Sequence, residues 1–220
     1  MDNPRRGVIV DWAGVLTSPL ASTIEAWIRA EGIDAEHYYS VMRAWAGDAY
    51  RGHTPDENPI RALERGELAP ERFERELAGA LRRTDGSAVN ADGLLHRMFA
   101  GFQPAPQMYA LLREVRAQGL RTCLLSNSWG NSYPRAELAS VFDALVISGE
   151  VGMRKPEVGI FEHALAEIGL APQECVFIDD MRPNTEAAQS LGMPAILHRD
   201  PDTTRRELHE THRLALAPTA

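Results

Sequence analysis

The residues best suited to chemistry each follow a short apolar run. Asp11 ends the run VIVD and precedes a turn at Gly14, and the run VFIDD ends in a pair of acids. The remaining polar groups are a hydroxyl, an amide and an ammonium: Ser126, Asn127 and Lys155. A carboxylate can attack phosphorus, a hydroxyl can hold phosphate oxygens, and a lysine can neutralise both anions. The combination indicates phosphoryl transfer.

A hard cation would complete such a site. Mg²⁺ prefers oxygen ligands, which Asp11, Asp180 and the backbone carbonyl of Ala13 can supply. The carbonyl ligand does not depend on the side chain at position 13. We expect Asp179 and Asn184 to lie behind these groups and to orient them. Lys155 is the only lysine in a chain otherwise rich in arginine, which singles it out for a role that needs a compact charge.

The elements that must position these groups alternate along the chain. Buried strands are predicted at 7–11, 121–127, 144–148, 174–180 and 193–200, and helices at 108–119, 156–169, 184–192 and 201–214. Strands separated by single helices predict an α/β fold with a Rossmann-like parallel sheet and helices on both faces. Ligands bind at the carboxyl ends of such strands, where all the residues above would meet.

Residues 20 to 100 show only helical patterns, so we predict an α-helical cap inserted after the first strand. The boundaries are 1–18 and 101–220 for the α/β core and 19–100 for the cap. The chain of 220 residues, with 44% hydrophobic residues and a formal net charge of −8, argues against nucleic acid and membranes as partners. Without an apolar run long enough to span a bilayer, it is expected to be cytoplasmic. The oligomeric state is not predicted.

The four motifs VIVDWAGV, LLSN, GMRKPE and VFIDD, in this order, resemble those of the haloacid dehalogenase superfamily. The resemblance covers essentially the whole chain and includes the α-helical cap. With RGEL in the cap, it points to sugar-phosphate phosphatases similar to α-glucose-1-phosphate phosphatase. It implies an Mg²⁺-dependent phosphatase that acts on a small phosphorylated metabolite, with Asp11 as nucleophile, Lys155 as its partner, and Ser126, Asn127 and Lys155 binding phosphate.

Ala13 departs from the family pattern, which places there an acid that protonates the leaving group. General acid–base catalysis is worth on the order of 10²–10⁴ in rate. A phosphatase with a substitute acid, a water or a good leaving group fits best. The other readings are a haloacid dehalogenase, a phosphonoacetaldehyde hydrolase, and a catalytically weak phosphate-binding or partner-binding protein. The second would need a cap lysine, which this sequence lacks.

Candidate substrate contacts from the cap side are Trp12, beside Asp11, and the polar stretch at 45–59 with Tyr50, Arg51 and His53. If the acid has been relocated, Tyr50 and His53 are the first candidates on sequence grounds.

Overall fold

A computed structural model describes residues 5–50, 58–130, 132–214 and 216, with the backbone alone at 46–50. Within these residues five parallel strands form one sheet in the order β3-β2-β1-β4-β5. The strands are β1 (Gly7–Val10), β2 (Arg121–Ser126), β3 (Ala144–Ile147), β4 (Cys175–Asp179) and β5 (Ala195–Leu197). The predicted α/β fold is confirmed. Each predicted strand ends one to three residues too late, because the terminal polar residues leave the ladder for side-chain contacts, as Asp11 does at the end of β1 and Asp200 does in capping the helix that follows it.

The strand register brings the polar residues to one edge. Val10 pairs with Leu124 on one side and with Ile178 on the other. Asp11 therefore follows the central strand at nearly the same height at which Ser126 and Asp179 end its two neighbours. Asp11 keeps its own backbone in line by donating its N–H to the Ile178 carbonyl at 2.9 Å.

Alternation along the strands gives the sheet two apolar faces. Val8, Val10 and Ile178 belong to one hydrophobic cluster, whereas Ile9 and Phe177 belong to another on the opposite face. The first cluster packs against α6 (Pro106–Ala117) and α11 (Pro201–Glu210), and the second against α9 (Val158–Ile168) and α10 (Arg182–Ser190). Both faces are covered, as an all-parallel sheet requires.

The described part of the segment between β1 and α6 contains helices joined by loops. Its helices are α1 (Leu20–Glu31), α2 (Ala35–Tyr50), α3 (Pro59–Glu64), α4 (Pro70–Ala80) and α5 (Leu94–Phe99). They share a hydrophobic cluster of their own, which includes Trp27, Phe73 and Leu94. We call residues 20–99 the helical region. Asn58 begins α3 by accepting hydrogen bonds from the N–H groups of Ile60 and Arg61.

Two short helices were not predicted, α7 (Arg135–Leu138) and α8 (Ser148–Val151). Both are single turns that follow β2 and β3 on the side of the site, where apolar periodicity is too short to be seen in a sequence. None of the helices in the described part of the chain has the length and apolar character of a membrane span.

Candidate active site

Lys155 joins two carboxylates at the carboxyl edge of the sheet. Its Nζ lies 2.8 Å from Asp11 Oδ1 and 2.7 Å from Asp179 Oδ2. The lysine side chain is 1% exposed, and its Nζ also lies 5.6 Å from the centre of the Phe177 ring. The structure therefore brings together Asp11, Lys155 and Asp179, which the sequence predicted to meet.

Several hydrogen-bond donors converge on the Asp179 carboxylate. Besides Lys155, it accepts a hydrogen bond from the Met181 N–H at 2.8 Å, and Asn184 Nδ2 lies 3.0 Å from each of its oxygens. Asp179 and Asn184 are fully or almost fully buried. Their geometry is that of groups which fix the lysine and the strand end.

A third carboxylate, that of Asp180, completes the group. Oxygens of Asp11, Asp179 and Asp180 all lie within 4.8 Å of one another. Asp180 sits directly against the backbone of Gly14, where a Cβ atom would lie 2.2 Å from Asp180 Oδ2. Gly14 also has a φ of 80°, so this turn needs glycine for both its conformation and its space.

Burial and mutual repulsion shift the titration of the acids. Burial raises the pKa of Asp11 to about 7, with Asp179 and Asp180 adding to the shift and the Lys155 ammonium opposing it. Burial and the nearby Asp179 likewise raise the pKa of Asp180 to about 6. Burial opposes the charge of Lys155, but the two carboxylates outweigh it and raise the lysine pKa above its usual value.

The hydroxyl of Ser126 lies at the end of β2 and is 1% exposed. Its Oγ is 2.9 Å from the Tyr133 hydroxyl oxygen. The neighbouring Asn127, which is predicted to bind phosphate, directs its side chain to the backbone of Lys155. Asn127 Nδ2 donates to the Lys155 carbonyl at 3.0 Å, and its Oδ1 accepts from the Lys155 N–H at 2.8 Å. This pair of bonds fixes the Lys155 loop against the end of β2.

Trp12 is buried directly after β1, in the hydrophobic cluster of the sheet, and packs against two aromatic rings. Its ring centroid lies 4.9 Å from that of Tyr133 and 5.4 Å from that of Phe102. Arg51 and His53 lie outside the described residues, and so does the side chain of Tyr50. Tyr133 was missed by the sequence reasoning. It stands in an ordinary loop just before α7, and only the fold brings its hydroxyl to Ser126.

A second buried charge pair joins the helical region to the sheet. Glu64 at the end of α3 accepts hydrogen bonds from Arg154 Nε and, at 2.9 Å, from Trp129 Nε1. The side chains of Arg154 and Glu64 are 1% and 2% exposed. Burial raises the pKa of Glu64, and Arg154 and Trp129 oppose that shift. We call these three residues the joint.

A cleft of about 450 Å³ lies between the helical region and the sheet. Leu63, Leu68 and Pro70 line it from the helical region, and Ser128 and Tyr133 from the loop after β2. Tyr133 thus belongs both to this cleft and, through its hydroxyl, to the surroundings of Ser126.

Comparisons with known proteins agree with this geometry. The profile of the haloacid dehalogenase-like hydrolase family matches residues 6–192. The chain is 27% identical over 229 aligned positions to bifunctional epoxide hydrolase 2 of Sus scrofa, covering 97% of this chain and 40% of that protein. It is 30% identical over 197 positions to phosphoserine phosphatase of Thermus thermophilus, covering 87% of this chain and 69% of the relative.

Among solved structures, a HAD family enzyme of Bacteroides thetaiotaomicron in complex with magnesium and inorganic phosphate superposes with a TM-score of 0.64. The identity is 21%, and the match covers 89% of this chain and 94% of that one. At this identity the likeness concerns the fold. The chain spans less than half the length of the first curated relatives that it matches.

Proposed function

Because this chain belongs to the haloacid dehalogenase-like hydrolase family, we propose that it is a magnesium-dependent phosphatase of a small phosphorylated metabolite, with a sugar phosphate as one candidate. Its phosphatase relatives support this choice of reaction. The observation that carries the proposal is the contact of Lys155 Nζ with Asp11 Oδ1 at 2.8 Å. This contact lies at the carboxyl edge of the sheet, where Ser126 is the last residue of β2.

In this mechanism Asp11 attacks phosphorus, and an aspartyl-phosphate forms as the bond to the leaving-group oxygen breaks. Lys155 holds the attacking carboxylate in place and faces the charge that builds on the phosphoryl oxygens. The Ser126 hydroxyl donates to one of those oxygens. Water then attacks the phosphorus of the intermediate, which releases inorganic phosphate and restores Asp11. Asp179 and Asn184 act through Lys155, whose position they fix.

The residues present fit a divalent cation. Three carboxylates within 4.8 Å face a single ammonium, which leaves excess negative charge at the site. Asn184 Oδ1 is buried beside Asp179 without a hydrogen-bond partner among the described residues. Asp11, Asp180 and the carbonyl of Ala13 would hold Mg²⁺, the oxygen donor set this ion prefers. When bound, the ion supplies positive charge to the phosphoryl oxygens.

The helical region would act as the cap over this site, with the predicted boundaries 19–100. Its own hydrophobic cluster and the cleft of about 450 Å³ beneath it support that role. The cleft offers room for the leaving group. A Schiff-base hydrolase is disfavoured, because Lys155 is engaged by two carboxylates and the sequence has no other lysine.

The test is Asp11→Asn. The variant should fold like the wild type and lose turnover of p-nitrophenyl phosphate, because an amide is not a nucleophile toward phosphorus. Asp143→Asn is the matched control, since Asp143 precedes β3 at the opposite edge of the sheet. Retention of substantial turnover by Asp11→Asn, or full wild-type activity in excess EDTA, would refute the proposed mechanism.

A further inference from the structure

Position 13 lacks the acid that its family uses, yet the structure places another protic group near the site. Tyr133 Oη lies 2.9 Å from Ser126 Oγ, and its ring packs on Trp12 with centroids 4.9 Å apart. We propose that Tyr133 is the proton donor to the leaving-group oxygen and replaces the missing acid. The inference rests on the proposed phosphatase function and names a catalytic residue for it.

Tyr133 lies between the surroundings of Ser126 and the cleft next to the helical region, and the proposal rests on this position. On one side its hydroxyl contacts Ser126, which ends β2 at the same edge as Asp11 and Lys155. On the other side the residue lines the cleft of about 450 Å³. A substrate with its phosphate at Ser126 and its organic part in the cleft would have its bridging oxygen at the boundary, where the phenol stands.

The local packing explains why the phenol has one orientation. Ala13 and Tyr133 are both packed against the hydrophobic cluster that contains Trp12. Trp12 is itself held edge-on against Phe102. The ring contact with Trp12 and the hydroxyl contact with Ser126 hold the phenol at both ends, so little rotational freedom is lost when a substrate arrives.

The proton balance closes over the two half-reactions. As Asp11 displaces the alcohol, the electron pair of the broken P–O bond goes to the bridging oxygen. That oxygen takes the Tyr133 proton and leaves as the alcohol. The phenolate then takes a proton from the water that attacks the aspartyl-phosphate. Phenol and free enzyme are both restored, and no additional reactant is needed.

The acidity of the phenol suits this task. Burial raises the pKa of Tyr133 to about 12, with Asp11 adding to the shift and the Ser126, Ser128 and Lys155 side chains opposing it. The residue is therefore protonated at neutral pH. A simple alkoxide is a stronger base than this phenolate and takes the proton, whereas p-nitrophenolate is a far weaker base and leaves without it.

The experiment compares Tyr133→Phe with the wild type on alkyl and aryl phosphates of graded leaving-group pKa. For alkyl phosphates kcat/KM should fall by about 100-fold, the lower end of general acid catalysis. For p-nitrophenyl phosphate it should fall by no more than about threefold, since this leaving group needs no proton. Tyr38→Phe, which removes a hydroxyl from the buried core of the helical region, is the matched control.

Two outcomes would overturn the proposal. Equal losses on both substrate classes would show that Tyr133 only orients Ser126, and no loss on either would show that it is dispensable. The wild type supplies a measurement that does not depend on a variant folding. Its kcat/KM should vary little with leaving-group pKa, and a steep decline would contradict proton donation. Activity in Asp11→Asn would instead refute the phosphatase mechanism, whatever Tyr133 does.

Discussion

Arg154 and Lys155 are neighbours in the chain, and both side chains are 1% exposed, but they enter two different electrostatic surroundings. Arg154 forms a buried salt bridge with Glu64, whose second oxygen is bound by Trp129. Lys155 meets two carboxylates, with Asp180 close by. The joint is thus balanced in charge and the site is not.

This difference separates a structural ion pair from a functional one. A buried pair whose charges cancel makes no demand for further ligands, although breaking it is costly. A cluster with surplus negative charge attracts a cation, and such uncompensated charge is typical of sites where a reaction moves charge. The two kinds lie side by side here because one loop, between α8 and α9, serves both.

The largest effect is expected from Glu64→Leu at the joint. The substitution leaves the Arg154 guanidinium buried without its carboxylate, which typically costs about 3–5 kcal/mol of unfolding free energy. Urea denaturation measures the change. Glu76→Leu is the control, because Glu76 pairs with Arg72 on an exposed surface and such pairs are worth about 0–1 kcal/mol. If Glu64→Leu lowers the unfolding free energy by less than about 1 kcal/mol, the joint contributes no more than an exposed ion pair does.

Lys155→Arg should act on rate more than on stability. A planar guanidinium cannot replace a compact ammonium that touches both Asp11 and Asp179, so we expect at least about 2 kcal/mol of lost transition-state stabilisation. This corresponds to about 30-fold in kcat/KM. Steady-state kinetics and thermal melting on the same samples separate the two effects.

The reciprocal change, Arg154→Lys, sharpens the comparison. It should lower the melting temperature and leave kcat/KM closer to that of the wild type than Lys155→Arg does. If Lys155→Arg keeps near wild-type kcat/KM, or if the two swaps lose rate equally, the distinction between joint and site is wrong.

Trp129→Phe tests the third member of the joint at a smaller scale. Phenylalanine keeps an aromatic ring against Phe73 and Phe99 but removes the Nε1 donor to Glu64. A hydrogen bond to a charged acceptor is worth about 1.5 kcal/mol at the lower end of its range. Urea denaturation should show a loss of that order. An unchanged midpoint would mean that Arg154 alone satisfies Glu64.

The smallest effect concerns His198, a buried titratable group bound to a hydroxyl, with the Asp200 carboxylate acting on it more weakly than burial does. Its Nδ1 lies 2.7 Å from Thr204 Oγ1, and burial lowers its pKa. The unfolded chain, with the ordinary value near 6.5, binds more protons there than the folded one. The contribution of His198 to the unfolding free energy should therefore decline as the pH falls through that value and below, down to the folded pKa, whereas the raised pKa values of Asp11 and Asp180 contribute in the opposite direction.

Denaturation between pH 7.5 and pH 5 measures this slope. His198→Gln should remove the His198 contribution and so change the slope from that of the wild type, whereas His209→Gln, an exposed position of α11, should leave the wild-type slope unchanged. A slope that is the same in both variants would assign the pH dependence to other groups.

Much of the sheet and its carboxyl edge could be predicted, because the information is local. Each strand is a short apolar run that ends in a polar residue, and parallel pairing brings those ends together without further assumptions. The positions of Asp11 and Ser126 at this edge were predicted in this way, whereas Lys155, in the loop after α8, was singled out because it is the one lysine of the sequence. For Asn127, phosphate binding stays a prediction, and the structure shows its side chain bonded to the backbone of Lys155.

The joint and Tyr133 could not be predicted for a common reason. Glu64 lies 90 positions from Arg154, in a helix whose charges look like an exposed face. The Tyr133 hydroxyl faces Ser126 only because of the path of a loop without periodicity. Such contacts depend on the relative placement of elements, which neither composition nor local pattern records.

The approach of Gly14 to the Asp180 carboxylate, where an added Cβ would lie 2.2 Å from Oδ2, constrains how this sequence can vary. The residue that is tolerated at position 14 therefore depends on the residue at position 180. In a library randomised at both positions, active clones with an acid at 180 should carry glycine at 14. A smaller residue at 180 would remove the clash, but the φ of 80° at position 14 would still favour glycine or asparagine. The pair therefore offers directed evolution of this enzyme almost no independent choices.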